Sequence, residues 1–344
     1  MKMRWLIASP ILTQPNPEPF RYIENLLRSD HHVTKIVWRK EPYINYTNRT
    51  NKYTSLGEWL TCFKQAFQLL TSQDSDGVIT LLVQLPTAMG LLKRLPFMNR
   101  KPVVALDFTI AHLRGGIHQK IARFALAKID RFGVFCQHER KIYSEYLGLP
   151  IERFDVLYQY YDESGLAWQE DNESPFVIAL GSALRDYPTF IQAIEKLKLP
   201  AVIASSRPAL KEIEIPKHVQ TPFDINRYEC WEQIAKARID VVPLQITQDT
   251  SSAGFRAIVE AMEIGCPLVV TQGAGAEDYV IHRETGLLIE PNSVDSMAEA
   301  ILLLWNDAEL RQYMSQAARA YAKEHFSPEA RGRAMERVLN DFLR

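Results

Sequence analysis

The sequence predicts an α/β protein made of two Rossmann-like domains. Short β-rich runs alternate with helical patterns along most of the 344 residues, which is typical of βαβ units around a parallel sheet. The alternation occurs twice, on either side of a polar and aperiodic stretch at residues 158–175. A chain of this length also suits about two domains. We therefore expect an N-terminal domain at residues 1–160 and a second domain at residues 174–327.

The first alternation predicts the elements of the N-terminal domain. Strands are expected at residues 5–8, 33–38, 78–85, 103–107, 131–136 and 154–157. Helices are expected at residues 20–27, 59–71, 87–93, 117–128 and 138–146. The stretch at 78–85 is almost entirely apolar, as expected of a strand that is covered on both faces of a sheet.

The second alternation predicts a second parallel sheet. Its strands are expected at residues 176–181, 201–204, 240–243, 268–271 and 287–289, with helices between them. From residue 294 onward the pattern is helical to the end of the sequence, with one interruption at Ser327 and Pro328.

Composition and charge exclude several classes of protein. Apolar residues make up 47% of the chain, and a net charge of −1 gives no reason to expect a nucleic-acid partner. The four cysteines are scattered, which indicates reduced, mostly buried thiols in a reducing compartment. The N-terminus lacks a signal-peptide pattern, and no apolar run approaches the roughly 20 residues that span a bilayer. We therefore expect a cytoplasmic protein.

Residues 249–291 contain the strongest candidate for a ligand site. Small residues, among them Ser252 and Gly254, precede a helix that Gly265 and Pro267 end. The buried stripe of this helix is predicted to consist of Ala257, Ile258, Ala261 and Met262. A small-residue loop that leads into a helix N-terminus offers free N–H groups and a partial positive charge, which suit a phosphate. Glu260 lies on the opposite helix face, one turn from this phosphate seat.

Three motifs follow one another in this stretch at a defined spacing. They are Glu260-Ala-Met-x-x-Gly265-x-Pro267, Gly275-x-Glu277 and Thr285-Gly-Leu-Leu288. In order and spacing they resemble the donor-site signature of the group 1 (family 4) retaining glycosyltransferases, which have the GT-B fold. The resemblance implies two domains facing each other across a cleft, with the helix at residues 328–344 packing back on the N-terminal domain.

The same resemblance implies an activity. It is the transfer of a sugar from a nucleotide-diphosphate sugar to a hydroxyl acceptor with retention of configuration, without a metal or a cofactor. Enzymes of this kind, which include the hexosyltransferases and related transferases, build polysaccharides or glycoconjugates. The acceptor can be a glycan, a lipid-linked molecule or a small molecule. Two rivals share the fold: a nucleotide-sugar epimerase, and a non-catalytic protein that binds nucleotide sugars or glycans.

The resemblance assigns roles to several residues of the second domain. Glu260 would accept hydrogen bonds from the donor ribose, because a carboxylate can accept two at once. The first glutamate of the family's pair would fall at Ser252, so half of the pair is replaced here. Glu277, after Gly275, would lie near the sugar or would be an ordinary first-turn helix charge. From the residues alone, Glu260 could equally form an i,i+4 ion pair with Arg256.

The first strand of the second domain leads into another candidate segment. Gly181 permits a tight turn, and Arg185 occupies the place where the family binds the donor diphosphate with a basic residue. Ser182 stands where the family usually has an arginine. A guanidinium suits a diphosphate because it donates in pairs and keeps its charge. The alternative is a solvated Arg185 that pairs with Asp186.

The N-terminal domain offers two candidates for catalytic residues. Asp107 follows a predicted strand, and His112 lies in a stretch where the family tends to carry a histidine near the reacting sugar. Asp107 could instead cap the next element, and His112 could be an ordinary loop histidine. Residues 11–20 contain three prolines and no glycine, where the family commonly has a glycine-rich loop.

Residues 93–131 form the most basic region of the chain. They contain nine Lys or Arg residues against two acidic ones. A basic amphipathic face can dock on an anionic membrane, so peripheral contact with the inner membrane face is one expectation. A solvated helix face is the other.

Overall fold

The computed structural model describes residues 2–10, 12, 29–38, 55–98, 100–110, 113–247 and 254–343. Contacts divide the chain into two compact units. Unit 1 consists of Met1–Tyr158 and Arg331–Arg344, and unit 2 consists of Gln159–Ala330. Of the polar stretch at 158–175, where the sequence predicts the boundary between the two domains, residues 159–175 therefore belong to unit 2.

The described strands of unit 1 form one parallel sheet of six strands in the order β2-β1-β3-β4-β5-β6. They are β1 (Met3–Ala8), β2 (His32–Ile36), β3 (Gly77–Leu81), β4 (Val103–Leu106), β5 (Arg131–Val134) and β6 (Phe154–Val156). Every residue of β3 and β4 is buried, as expected of central strands with helices on both faces. The helices between them are α1 (Leu56–Thr71), α2 (Gln84–Leu92), α3 (Ile117–Leu126) and α4 (Gln137–Leu147).

The described strands of unit 2 form a second parallel sheet of six strands, in the order β12-β11-β10-β7-β8-β9. They are β7 (Val177–Leu180), β8 (Ala201–Ala204), β9 (Val219–Gln220), β10 (Ile239–Val242), β11 (Leu268–Thr271) and β12 (Leu287–Ile289). The strand order reverses between β7 and β10. In doubly wound sheets, ligands bind at such a reversal, outside the carboxyl ends of the strands.

Six helices of unit 2 lie in the described part of the chain. They are α5 (Tyr187–Leu197), α6 (Arg207–Leu210), α7 (Arg227–Lys236), α8 (Phe255–Ile264), α9 (Val294–Asn306) and α10 (Ala308–His325). Helix α8 ends where the sequence predicts, at Gly265 with φ of +88°. Its buried side differs from the predicted stripe, because Phe255 and Val259 are buried as well, whereas Ala257 is only partly buried.

The last helix, α11 (Pro328–Asn340), leads the chain back to unit 1. Asn340 Oδ1 lies 2.9 Å from Nε2 of His32, on β2. The ring of Phe342 meets the ring of Trp5 edge to face, with 5.6 Å between centroids. Residues 331–344 therefore complete the packing of the first sheet.

Three expectations about the elements were wrong. The strand predicted at 78–85 ends at Leu81, and the helix α2 starts at Gln84, because one apolar run continues from a buried strand into a buried helix face. The strand β9 was missed because it has only two residues. The helical pattern after residue 294 breaks at Asp307, which ends α9 and caps α10. The helix predicted at 20–27 lies outside the described residues.

The stretch at 159–175 contains no helix or strand, yet it is tied to unit 2 along its length. Tyr161 N donates to Phe326 O at 3.1 Å, and Trp168 N donates to Ile264 O at 2.9 Å. These backbone hydrogen bonds hold the stretch in one course along unit 2, which a flexible linker would not have.

Cys62, Cys136 and Cys266 are buried, as the sequence predicts for these residues. Within the described ranges, no helix is long and apolar enough to cross a membrane.

Candidate functional site

The candidate site is a cavity of about 510 Å³ at the carboxyl-terminal edge of the unit 2 sheet. It lies beside the reversal of strand order between β7 and β10, where this fold binds ligands. The cavity is lined by Leu180, Gly181, Ser182, Arg185, Ala204, Ser205, Ser206, Asp224, Ile225, Arg227, Cys230, Ile234, Arg256, Ala257 and Glu260. Gly181, Ser182, Arg185 and Glu260, which the sequence places at the donor site, are therefore brought together.

The backbone turns after β7, so that the side chain of Arg185 lies against the carboxyl end of that strand. Arg185 Nε donates to Leu180 O at 2.8 Å, and Nη1 donates to Ala183 O at 2.9 Å. Gly181 makes room for this course, because its φ is +104° and a Cβ there would lie 2.6 Å from Nη2 of Arg185. A residue with a side chain at this position would be strained and would displace the guanidinium.

Arg185 carries a charge that is not neutralised locally. Among the described residues, no carboxylate lies within ion-pair distance of its guanidinium. The proposed alternative, a pair with Asp186, is wrong, because Asp186 caps α5 by accepting a hydrogen bond from Thr189 N at 3.2 Å. Burial lowers the pKa of Arg185. A desolvated cation with donors to spare is suited to bind an anionic ligand.

The N-terminus of α8 lies beside Arg185. Gly254 caps this helix with φ of +77°, and a Cβ there would lie 2.8 Å from Leu244 Cδ2 and 3.4 Å from Nη1 of Arg185. A guanidinium and the partial positive charge of a helix N-terminus therefore act at the same place. Gly254 itself does not line the cavity in the described part of the chain. Ser252 lies outside the described residues.

Glu260 extends from α8 into the cavity, where its side chain is 12% exposed. Its Oε1 accepts hydrogen bonds from Arg227, from Nε at 3.1 Å and from Nη2. The i,i+4 pair with Arg256 also exists, but Nη1 of Arg256 is 3.9 Å from Oε1. The second oxygen, Oε2, has no hydrogen-bond partner among the described residues, so it can accept from a ligand.

Two residues that support Glu260 were missed by the sequence analysis. Arg227 is the first residue of α7, and its Nη1 donates to Oδ2 of Asp162. Asp162 belongs to the stretch at 159–175 and has a side chain that is 17% exposed. Arg227 lies 33 residues from Glu260, and Asp162 lies 65 residues from Arg227, so no local pattern could have paired them.

Three serines form a polar side of the cavity. Ser182 Oγ lies 3.3 Å from Ser205 Oγ, and it accepts a hydrogen bond from Ser206 N at 3.0 Å. Ser205 Oγ donates to Gly181 O at 2.8 Å. Ser182 thus joins the turns that follow β7 and β8, while Ala204, Ile225 and Ile234 provide apolar surface in the same cavity.

A buried carboxyl group, Asp240, lies on β10. Neither of its carboxyl oxygens has a hydrogen-bond partner within the described ranges. Burial raises the pKa of Asp240 to about 8, although Arg185 opposes the shift. The carboxyl is therefore protonated at neutral pH, and it does not cancel the charge of Arg185.

The loop after β11 does not contribute to the cavity in the described structure. Gly275, with φ of +92°, precedes the short 3-10 turn Ala276–Asp278, and Glu277 is exposed in the first turn. Glu277 has the position of a first-turn charge, the alternative that the sequence left open. No group of three or more His, Cys, Asp and Glu residues in the described ranges could hold a metal ion.

The two catalytic candidates of unit 1 have different outcomes. Asp107 follows β4 with φ of +48°, and Oδ1 accepts a hydrogen bond from Nη2 of Arg331, on α11. Arg331 is 1% exposed and also donates from Nη1 to Tyr158 O at 3.0 Å. Asp107 therefore has a structural partner that the sequence analysis did not anticipate. His112 lies outside the described residues.

Comparison with known proteins finds a family model that is similar to most of unit 2. Residues 170–321 match the model of the family described as Glycosyl transferases group 1. The resemblance seen in the motifs is confirmed over this range, which is similar to the group 1 glycosyltransferases.

Two curated relatives match shorter stretches. The capsular polysaccharide biosynthesis glycosyltransferase CapM of Staphylococcus aureus is 31% identical over 96 residues, which are 28% of this chain and 25% of that protein. The alpha-1,3/1,6-mannosyltransferase ALG2 of Homo sapiens is 35% identical over 85 residues, which are 25% of this chain and 20% of that protein. The matches thus span a quarter or less of these relatives.

Solved structures match the chain over nearly its full length. Sucrose-phosphate synthase from Thermosynechococcus elongatus has a TM-score of 0.73 at 14% identity, covering 99% of both chains. Anabaena HepE in complex with UDP has a TM-score of 0.66 at 14% identity, covering 99% of this chain and 100% of that one. At such identities the likeness concerns the fold, and it confirms the predicted GT-B fold class.

Proposed function

We propose that this protein is a glycosyltransferase that moves a sugar from a nucleotide-diphosphate sugar to a hydroxyl acceptor. The observation that carries the proposal is one cavity of unit 2 in which Arg185, without a counter-ion in the described structure, lies beside a helix N-terminus and Glu260 lines the same space. Arg185 and the N-terminus of α8 would bind the diphosphate, and Oε2 of Glu260 would accept hydrogen bonds from the ribose hydroxyls.

The same groups would assist the chemical step. As the bond between sugar and diphosphate breaks, negative charge grows on the leaving diphosphate. Arg185 and the N-terminus of α8 would stabilise that charge in a partly desolvated site, where fixed positive groups act strongly. The resemblance of the motifs to family 4 supports the finer terms of the proposal, which are retention of configuration and a reaction without metal or cofactor.

Uracil nucleotides are the first donors to test, because one protein of the same fold was solved with UDP and with UDP-glucose. The experiment is a thermal-shift panel with UDP, GDP, ADP and CMP. A ligand that binds only the folded chain raises the unfolding midpoint. At a concentration one hundred times its Kd, such a ligand adds about 2.7 kcal/mol to the free energy of unfolding.

We expect one diphosphate to stabilise the wild type and to have little effect on Glu260→Ala. Glu277→Ala is the matched control, since it removes an exposed carboxylate outside the cavity. If no nucleotide shifts the wild type, the proposal is wrong. If one binds but its sugar conjugate is neither transferred nor hydrolysed with any acceptor, the non-catalytic binder replaces the transferase.

An anionic membrane is the partner that we propose for unit 1. Helix α3 presents Ile117, Ile121 and Phe124 to the outside at 65%, 50% and 54% exposure, which is unusual for three apolar residues on one helix face. Phe97, after α2, is 65% exposed. The guanidinium of Arg94 lies 3.4 Å from the ring centre of Phe124, so one cation lies directly against this apolar face.

The charge and the exposed apolar groups together suit anionic lipid. Lys120 lies on the exposed part of α3, among the apolar residues, and Arg100 is also exposed. Apolar side chains would enter the headgroup region while the cations bind lipid phosphates. A solvated helix face would have its apolar residues turned inward instead. A cytoplasmic location with peripheral membrane contact completes the proposal.

Vesicle co-sedimentation tests this partner. We expect the protein to bind vesicles with about one-third anionic lipid and to leave neutral vesicles unbound. Ile121→Glu and Phe124→Glu should weaken binding at least tenfold, because a charge would have to enter the headgroup region. Leu302→Glu is the control, since Leu302 is 45% exposed on α9 of unit 2. Equal binding of all variants would contradict the assignment.

A further inference from the structure

Four charged side chains form a closed cluster at the cavity. We call it the Arg227 cluster, and its members are Asp162, Arg227, Arg256 and Glu260. Two guanidinium groups and two carboxylates alternate in it, so that its net charge is zero. All four belong to unit 2, from the stretch at 159–175 and from helices α7 and α8.

We propose that Arg227 is a positioning residue that presents one oxygen of Glu260 to the vicinal diol of a ribose. The inference rests on the proposed function, since it concerns how the same cavity selects a ribonucleoside diphosphate. Arg227 would not bind the ligand itself. It would set the orientation and the charge of the carboxylate that does.

The geometry of the hydrogen bonds supports this role. Nε and Nη2 of Arg227 both donate to Oε1 of Glu260, so a single carboxylate oxygen accepts both hydrogen bonds. Oε2 remains without a partner among the described residues, in a residue that lines the cavity. A carboxylate that is held through one oxygen keeps a fixed direction for the other.

Arg227 is itself held from two further sides. Its Nη1 donates to Oδ2 of Asp162, and its guanidinium carbon lies 4.9 Å from the ring centre of Trp231. Oδ2 of Asp162 is also 3.5 Å from Nη1 of Arg256. The planar guanidinium is thus held by hydrogen bonds and by a cation–π contact, and a lysine could not reproduce the paired hydrogen bonds.

The charges separate the roles of two arginines that line the cavity. Arg227 faces two carboxylates, whereas Arg185 faces none in the described structure. Arg185 is therefore the better seat for a diphosphate. Arg227 instead cancels the charge of Glu260, which would otherwise repel a diphosphate bound in the same cavity.

The test compares UDP with 2′,3′-dideoxy-UDP by titration calorimetry on the full chain. We expect the wild type to prefer UDP by about tenfold or more, because a site that binds hydroxyls is left unsatisfied by the dideoxy analogue. Arg227→Gln should lose most of this preference through weaker UDP binding, with dideoxy-UDP affinity unchanged within about twofold. Adding Glu260→Gln to that variant should change little further, since both act on one contact.

A matched control exists in the same unit. Arg238 Nε lies 2.6 Å from Oε2 of Glu170, and its guanidinium lies 4.8 Å from the ring centre of Trp305, outside the cavity. Arg238→Gln should keep the full preference for UDP. Thermal unfolding midpoints of both variants report whether each one is folded before binding is compared.

Other outcomes overturn the inference in distinguishable ways. If Arg227→Gln weakens both ligands equally, Arg227 contacts the diphosphate directly. If the variant binds UDP more tightly, Arg227 obstructs the cavity. If the wild type binds both ligands equally, the proposed contact with the diol is wrong, but the proposed nucleotide site is not contradicted. If the wild type binds neither ligand, both the proposed function and this inference are wrong.

Discussion

Nη2 of Arg185 lies 2.6 Å from the point that a Cβ atom would occupy on Gly181. The guanidinium thus fills space that only glycine leaves open, and the turn after β7 and the cation of the cavity depend on each other. Gly181→Ala should therefore displace the guanidinium and weaken UDP binding about tenfold or more.

Gly165→Ala separates this effect from simple backbone strain. Gly165 has φ of +72°, and beyond its chain neighbours no described atom lies within 4 Å of the point that its Cβ would occupy, so its substitution strains the backbone alone. Both variants should lose about 1–2 kcal/mol of unfolding free energy in urea titrations. Calorimetry should show lost UDP affinity for Gly181→Ala only. Equal affinity in the two variants would contradict the dependence.

Arg185→Ala should separate binding from stability. The guanidinium is desolvated and lacks a carboxylate partner in the described structure, so its removal relieves a desolvation cost that offsets the loss of its hydrogen bonds to Leu180 O and Ala183 O. We expect unchanged or higher stability together with a loss of UDP affinity of about tenfold or more. Lys196→Ala, which removes an exposed cation that pairs with Asp295, should leave UDP affinity intact. Full UDP affinity in Arg185→Ala would exclude this cation from the site.

Asp240 should make stability depend on pH. Its pKa in the folded chain is raised to about 8, while an unfolded aspartate has a pKa of about 3.9. Between these values the unfolded chain has released the proton and the folded chain keeps it, so stability falls as pH rises. The slope for one such group is at most about 1.4 kcal/mol per pH unit.

Asp240→Asn removes that titration. Urea unfolding of wild type and variant at mildly acidic and at neutral pH measures the effect. We expect the free energy of unfolding of the variant, relative to that of the wild type, to increase as pH rises from the acidic to the neutral condition. A difference that does not change with pH would mean that the folded carboxyl is ionised and paired with Arg185.

The pair of Asp107 and Arg331 should stabilise unit 1. Asp107→Ala leaves the buried guanidinium of Arg331 without this carboxylate, which typically costs about 3–5 kcal/mol. Hydrogen exchange of amides in β4 and β5 reports the stability of unit 1 separately from unit 2. In a double-mutant cycle with Arg331→Met, the two changes should be strongly non-additive. If Asp107→Asn keeps the exchange pattern and abolishes transfer, the catalytic role expected from the sequence is the correct one.

Sequence reasoning located the sheets well because their signal is local. The strands β8, β11 and β12 have the predicted bounds, since each is a short apolar run between turn residues. The predicted strand at 78–85 extended too far because periodicity does not separate a buried strand from the buried helix that follows it. The strand β9 has too few residues for any pattern.

The site was predictable only where one segment carries it. Glu260 and Arg185 each lie in a motif of a few residues, and both line the cavity. Arg227 and Arg331 act on partners that are 33 and 224 residues away, so their roles depend on the tertiary fold. The sequence could show that Asp107 ends a strand, but it could not show which cation would bind it.

The division of unit 1 between the two ends of the chain has a consequence for its synthesis. During translation, residues 1–158 leave the ribosome long before residues 331–344, whose side chains Arg331, Asn340 and Phe342 complete the first sheet. The nascent N-terminal part must therefore wait, incompletely packed, while all of unit 2 is made. Unit 2 is continuous in sequence and can fold first, so folding order should run against the order of synthesis.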